Sequence, residues 1–285
     1  MSSLGLALVL AAAFCHSTWN FCVKRINGGP ELIWLFSLFS AVIYLPLAVY
    51  VWITMQIEFG ARELAFLIGS ATLHLGYFLF LQTGYRKGDL SLVYPTARAT
   101  GPLLSTALAV ALLGETLTPQ ALTGGLIIVA GVYCLTGGFR KPARSASPSL
   151  IYGVCAGALI GSYTVWDAHA VAALAIPPLL LDFASSMTRL VVLTPYAIRR
   201  TALVAGHWRN HKTDVLVIAT LTPLAYILVL YALTFTPVVY VAPLRETSVL
   251  ITVLMGTLLL GESGLRRRLW WAAFILAGTV LLATG

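Results

Sequence analysis

Residues 90–115 read LSLVYPTARATGPLLSTALAVALLGE, and residues 236–262 read TPVVYVAPLRETSVLITVLMGTLLLGE. Each stretch sets a Tyr and a Pro shortly ahead of a single Arg, then runs apolar to a closing Gly-Glu. Arg98 and Arg245 lie 147 residues apart, as do Gly114 and Gly261, and Glu115 and Glu262. A guanidinium inside an apolar span is costly and by default marks a site. Two of them at matching places in two copies are the strongest functional signal in the chain.

The same offset reaches far beyond these stretches. It pairs Trp19 with Trp166, Asn20 with Asp167, Pro30 with Pro177, and Ala130-Gly131 with Ala277-Gly278. One register over nearly the whole chain makes it two copies, residues 1–138 and 150–285. Residues 139–149 join them, within the Gly-, Pro- and Ser-rich stretch GGFRKPARSASPS.

Of the 285 residues, 59% are hydrophobic and 10% are charged, where a soluble domain carries about 25% charged residues. The apolar runs are too long for strands and fit membrane-crossing helices, which satisfy every backbone polar group internally. Spans are expected near 4–23, 32–53, 64–85, 91–113, 120–136, 150–172, 179–198, 214–235, 238–260 and 269–283. Five spans per copy is an odd number, so the second copy enters the membrane upside down. The expected fold class is all-α integral membrane, with ten transmembrane helices as two inverted five-helix repeats.

The formal charge of +8 does not signal nucleic acid, because the cations sit in short loops with no soluble domain between them. Loops after spans 1, 3, 5, 7 and 9 hold Lys24/Arg25, Arg86/Lys87, Arg140/Lys141/Arg144, Arg199/Arg200/Arg209/Lys212 and Arg266/Arg267/Arg268. The opposite loops and the termini carry only Arg62. The positive-inside rule then puts both termini outside the cytoplasm. No Lys or Arg precedes the first span, so it lacks the basic start of a signal peptide and reads as a retained helix. The four cysteines form no C-x-x-C pair and carry no redox message.

Ten spans in two inverted repeats, with Gly-Glu closing spans 4 and 9, resemble the EamA-like branch of the drug/metabolite transporter superfamily. The segments HSTWNFCVK, YPTAR and LRETS resemble a bacterial subgroup of that branch. The resemblance covers the whole chain. It implies transport of a small metabolite across the bacterial cytoplasmic membrane, through a cavity between the repeats. In related sugar-phosphate carriers, basic residues on spans 4 and 9 hold the anionic group, and Arg98 and Arg245 stand at matching places. The small-multidrug branch has a glutamate in span 1 that this chain lacks, which argues against a cationic drug.

The candidate substrate or gating residues centre on these arginines. A guanidinium fork suits a carboxylate or phosphate. Tyr94 belongs to the Arg98 motif. Trp19 and Trp166, readable as interfacial anchors, precede Asn20 and Asp167, which should share the depths of Arg98 and Arg245. The expectation is that Asn20 lies near Arg98 and Asp167 near Arg245. Glu246 adjoins Arg245 but should point at another span, since helix neighbours do not face each other. Arg189 in span 7 shares a face with Asp182 and is expected to be supported by it through a water or a third residue. His16 and His74 are mid-span, as packing residues or proton carriers. Gly153, Gly157 and Gly161 form a small-residue stripe for close helix approach.

No enzyme motif or metal-spaced cluster occurs in the sequence, so neither catalysis nor a cofactor is expected. The expected function is secondary transport of a small anionic or zwitterionic metabolite, an amino acid or organic acid. A carrier of phosphorylated or phosphonate compounds is the second reading; a lipid-modifying enzyme or sensor is the third. Expected partners are the substrate and membrane lipids, with a monomer or homodimer as the assembly.

Overall fold

A computed structural model of the chain describes residues 1–26, 28–56, 59–87, 90–135, 146–259 and 265–285. The described residues form α-helices joined by short turns: α1 (Ser3–Ile26), α2 (Pro30–Thr54), α3 (Ala61–Lys87), α4 (Leu90–Leu113), α5 (Pro119–Leu135), α6 (Ala146–Ala172), α7 (Pro178–Ile198), α8 (Thr201–Asn210), α9 (Lys212–Leu233), α10 (Val238–Arg245), α11 (Thr247–Leu259) and α12 (Leu265–Thr284). Helix boundaries fall within a few residues of the expected spans. Prolines open several of them: Pro30 and Pro178 stand in the first turns of α2 and α7, where a missing N–H costs nothing.

Among the described residues, six helices contain a stretch long and apolar enough to cross a membrane: α1, α2, α3, α4, α6 and α9. The other expected spans fall short of that criterion for local reasons. α5 is 17 residues long. Asp182 and Arg189 interrupt α7. The ninth span is broken into α10 and α11 at Glu246, after Pro243 has removed a backbone donor. α12 begins with three arginines.

Two further features differ from the sequence reading. Residues 201–210, expected as loop, form α8, whose buried-side contact is Trp208 stacked on Phe39 with ring centroids 4.5 Å apart. Residues 146–149, assigned to the linker, are the first turn of α6.

The surface is apolar where a soluble protein's would be polar. Val42, Ile53, Leu112 and Val191 are each more than 60% exposed. The polar groups lie inside and tie helices together, as expected where packing against lipid supplies no hydrophobic gain. Ser17 Oγ donates to the Ser248 carbonyl, joining α1 to α11, and Ser40 Oγ donates to the Ala219 carbonyl, joining α2 to α9. Trp34 Nε1 donates to Thr194 Oγ1, joining α2 to α7.

α1 packs on α9, α3 and α4 pack on α6, α2 on α7, and α5 on α12. The glycine stripe of α6 lies against α4. A Cβ at Gly157 would stand 2.6 Å from the Thr100 Cβ and 2.9 Å from the Ala97 carbonyl oxygen. The α5–α12 contact is closer still, with backbone on backbone: a Cβ at Gly124 would meet Leu282 N at 2.5 Å and Gly278 O at 2.7 Å. Gly124→Val is therefore expected to push the two helices apart and cost about 1–3 kcal/mol or more. Thermal unfolding in detergent checks this; a melting midpoint equal to wild type would mean the contact can yield.

The Gly-Glu motif at the end of α4 has a mechanical role that the sequence did not disclose. Gly114 takes a left-handed conformation (φ 69°), which stops the helix. Glu115 then reaches α10 and accepts from Val238 N at 2.8 Å and Val239 N at 2.9 Å. A carboxylate on the open N–H groups of a helix start is stabilised by hydrogen bonding and by the helix dipole. Its repeat partner Glu262 lies outside the described residues, as do Gly261, Arg140, Lys141 and Arg144.

Candidate substrate cavity

A cavity of about 340 Å³ lies among α1, α2, α3, α4, α6, α7, α9, α10 and α11. That size is in the range of small-molecule pockets. His16, Trp19 and Asn20 reach it from α1, His74 from α3, Tyr94 and Arg98 from α4, Arg189 from α7, and Arg245 from α10. Eight of the eleven candidates of the sequence reading thus converge on one space. Asp167 and Glu246 stand behind it, against His74 and Arg98, and Trp166 lies outside its lining.

The lining reaches Val23, Ile33, Leu81 and Tyr94, toward the bundle end that carries the α1–α2 and α3–α4 connections. The opposite end is filled by an apolar cluster that includes Val9, Val171, Ile176, Leu233 and Val239. On the first side, buried Asp214 pairs with Arg25 and lies 3.6 Å from His211, while Glu31 lies 3.6 Å from His207. These contacts tie the α1–α2 end to α8 and α9.

The arginines differ in how far they are neutralised. Arg98 Nε lies 3.3 Å from Glu246 Oε2, an ion pair whose angles fall short of a hydrogen bond. Its Nη2 is 3.4 Å from Ser248 Oγ, and its guanidinium is 5.8 Å from the Tyr94 ring centre. Glu246 thus points at span 4, as expected. Arg189 Nη2 donates to Ser186 Oγ at 2.9 Å, and Ser186 stands between Asp182 and Arg189 along α7. Arg245 lies over the Tyr226 ring at 5.5 Å. Among the described residues it has no carboxylate within 4.0 Å and no hydrogen bond.

The expected pairing across each repeat is corrected by this geometry. Asp167 is fully buried, and its Oδ2 takes His74 Nε2 at 2.9 Å and the Tyr226 hydroxyl at 2.5 Å. The Tyr226 ring lies under Arg245, so carboxylate and guanidinium share a tyrosine and not a salt bridge. Asn20 turns its amide onto its own helix, donating to the His16 carbonyl at 2.8 Å, and leaves Arg98 to Glu246. The reason is composition: His74 and Tyr226 have Leu221 and Leu79 at their repeat positions, so the halves cannot build the same pair.

The tryptophans also part ways. Trp166 stacks on Phe66 at 4.3 Å and donates its indole N–H to the Phe66 carbonyl, which makes it a strut between α6 and α3. Trp19 meets His16 edge-on at 4.8 Å and keeps a buried indole N–H with no acceptor among the described residues. Ser185 Oγ, Thr222 Oγ1 and Arg189 Nε, also in the lining, are likewise buried without partners among them. Buried polar groups are normally paired, so unpaired ones on a cavity wall point to water or ligand as the missing partner. Sequence reasoning had overlooked Tyr226, Tyr163, Ser185 and Thr222, because hydroxyls in apolar spans are too common to single out.

The sequence model of the EamA-like transporter family matches residues 3–137 and again residues 147–284. The chain belongs to the EamA-like transporter family and is a multi-pass membrane protein. One solved crystal structure, among 29 matching chains, superposes with a TM-score of 0.73 at 14% identity, over 99% of this chain and 99% of that one. That likeness concerns the fold alone. No curated protein matches the sequence.

Proposed function

We propose that the chain is a secondary transporter for a small anionic or zwitterionic metabolite, an amino acid or organic acid, working by alternating access. The observation that carries the sign of the substrate is Arg245, a cavity guanidinium with no acidic partner among the described residues. A bidentate carboxylate would satisfy it. Arg189, Ser185 and Thr222 offer further donors in the same space, and the rings of Trp19, Tyr77, Tyr94 and Tyr163 suit an apolar portion of the substrate.

Ten spans in two inverted repeats fit this reading if α10 and α11 count as one broken span and α8 lies at the interface. One family model matching each half supports it. The packing does too: the offset that carries α1 to α6 carries α9 back to α3, and α1 packs on α9 as α6 packs on α3. Under the same offset, α2–α7 and α5–α12 are each their own partner.

The orientation proposed is that of the loop charges, with both termini outside the cytoplasm of a bacterial cell. The cavity then reaches toward the cytoplasmic face, an inward-facing state. Gly206 on α8 has open space around its would-be Cβ. In a background lacking the native cysteines, Gly206→Cys is expected to resist a membrane-impermeant thiol reagent in intact cells and to react in inverted vesicles. Rapid labelling in intact cells would reverse the orientation.

The transport reading is tested with purified protein in vesicles and a panel of amino acids, organic acids and phosphonates. Saturable flux of an amino or organic acid is the expected result. Flux of phosphonates alone would change the substrate class, and no flux for any member would overturn the reading.

A further inference from the structure

We propose that His74 and Asp167 form a proton-loading site on the cavity wall and that the transported anion moves with a proton. The proposal rests on the transport reading above and adds its coupling ion. It begins with the asymmetry of the Asp167 carboxylate. Both of its hydrogen-bond partners among the described residues, His74 and Tyr226, bond the same oxygen, Oδ2, while Oδ1 is buried with no partner among them. A fully buried carboxylate so poorly satisfied is costly to hold in an apolar slab unless its charge serves something.

The groups around it are placed to make that charge adjustable. Asp167 stands behind the wall, with no exposure of its own, whereas His74 lines the cavity and touches Asp167. His74 is therefore the relay between cavity water and the buried acid. Its ring is held flat against Tyr163, with centroids 3.9 Å apart, and edge-on to Tyr226 at 5.1 Å. With Nε2 committed to Asp167, Nδ1 is the ring nitrogen left for water.

The step is a simple transfer. A hydronium in the cavity gives one proton to His74 Nδ1 and becomes water. The imidazolium keeps its Nε2–H on Asp167 Oδ2, and Tyr226 keeps its own O–H proton. The pair passes from a net charge of −1 to 0, with no other bond changed.

The consequence reaches Arg245 through Tyr226. Five charged or titratable groups face this pair or its tyrosine: Tyr163 on α6, Tyr226 on α9, Asp182 on α7, Arg245 on α10 and Arg189 on α7. In the empty state the −1 pair attracts Arg245 and repels an incoming anion. Once loaded, it does neither, so Arg245 is free to take the substrate. Proton and anion then favour each other's binding, and by linkage the effect is equal in both directions. Tyr226 is the positioning residue, with its hydroxyl on the acid and its ring under the cation.

The first arm needs no substrate. Full-length protein with ¹⁵N-labelled histidine is placed in lipid nanodiscs, and the His74 resonance is identified by its loss in His74→Gln. Across a descending pH series the His74 ring is expected to show its second proton. In Asp167→Asn, which lacks the negative charge that holds that proton, the doubly protonated signal should be weakened or lost in the same series. A His74 ring in one state throughout, or titrating identically in Asp167→Asn, would overturn the proposal. Should Asp167→Asn fail to fold, Tyr226→Phe serves, since loss of the hydroxyl must also displace the titration.

The second arm uses vesicles and whichever panel acid is carried. An inward pH gradient is expected to stimulate wild-type accumulation by on the order of tenfold, within the usual range of coupling between sites. In Asp167→Asn the ratio with and without the gradient should fall to about one. Flux that ignores the gradient in wild type would defeat proton coupling and leave transport standing. Absence of all flux would defeat transport, while the His74 titration would still report on the site.

Discussion

Arg245→Ala is expected to lower flux at subsaturating substrate by about 10- to 100-fold while the protein still folds. The estimate comes from the loss of one hydrogen-bonded charge contact, worth about 1.5–3 kcal/mol, at roughly 1.4 kcal/mol per tenfold. The protein should tolerate the change because, among the described residues, Arg245 has no carboxylate within 4.0 Å to leave behind. Its contact over the Tyr226 ring is worth about 0.5–2 kcal/mol. Arg245→Lys keeps the charge and loses the planar fork, so it should fall between wild type and Ala. Initial rates against substrate concentration decide the matter, with the melting midpoint as control. Unchanged KM and maximal rate in Arg245→Ala would remove Arg245 from the site.

Much of this was legible in the chain because membrane physics writes in long, simple patterns. Apolar runs of about twenty residues announce α1 through α4, and a fixed offset of 147 in the sequence pairs the residues of α6 with those of α1. The convergence of Arg98, Arg245, Arg189, His16 and His74 on one cavity follows from the cost of hiding such groups anywhere else. The partners were not legible. Symmetry of sequence suggested Asp167 with Arg245 and Asn20 with Arg98, but pairing depends on which side chains arrive from unrelated helices. His74 arrives at Asp167 from α3 and Glu246 at Arg98 from the break between α10 and α11, and no offset encodes either meeting. α8 was missed because ten residues with Val204 and Trp208 one turn apart give too short a period to separate from loop. The role of Glu115 was missed for a similar reason. A motif repeated at helix ends reads as a marker until the N–H groups of α10 are seen beside it.

Breaking the Arg98–Glu246 pair is expected to carry the largest cost in stability. Both side chains are mostly buried, at 14% and 5% exposure, and they join α4 to the hinge between α10 and α11. Two charges taken out of water gain little over a well-packed apolar pair, yet one left alone is expensive. Glu246→Ala strands the Arg98 guanidinium, and the cost should be about 3–5 kcal/mol. That corresponds to a melting midpoint roughly 6 °C or more below wild type. The double variant R98M/E246L removes both charges at similar volume and should recover most of the loss, so the two sites must be strongly non-additive. Thermal unfolding of the two single variants, R98M and E246L, and of the double variant in one detergent measures that coupling. Single losses that simply add would show that the two groups, though 3.3 Å apart, do not hold each other. Loss of flux in the well-folded double variant would then show that the two charges serve transport directly, since their contribution to stability would already have been replaced by apolar packing.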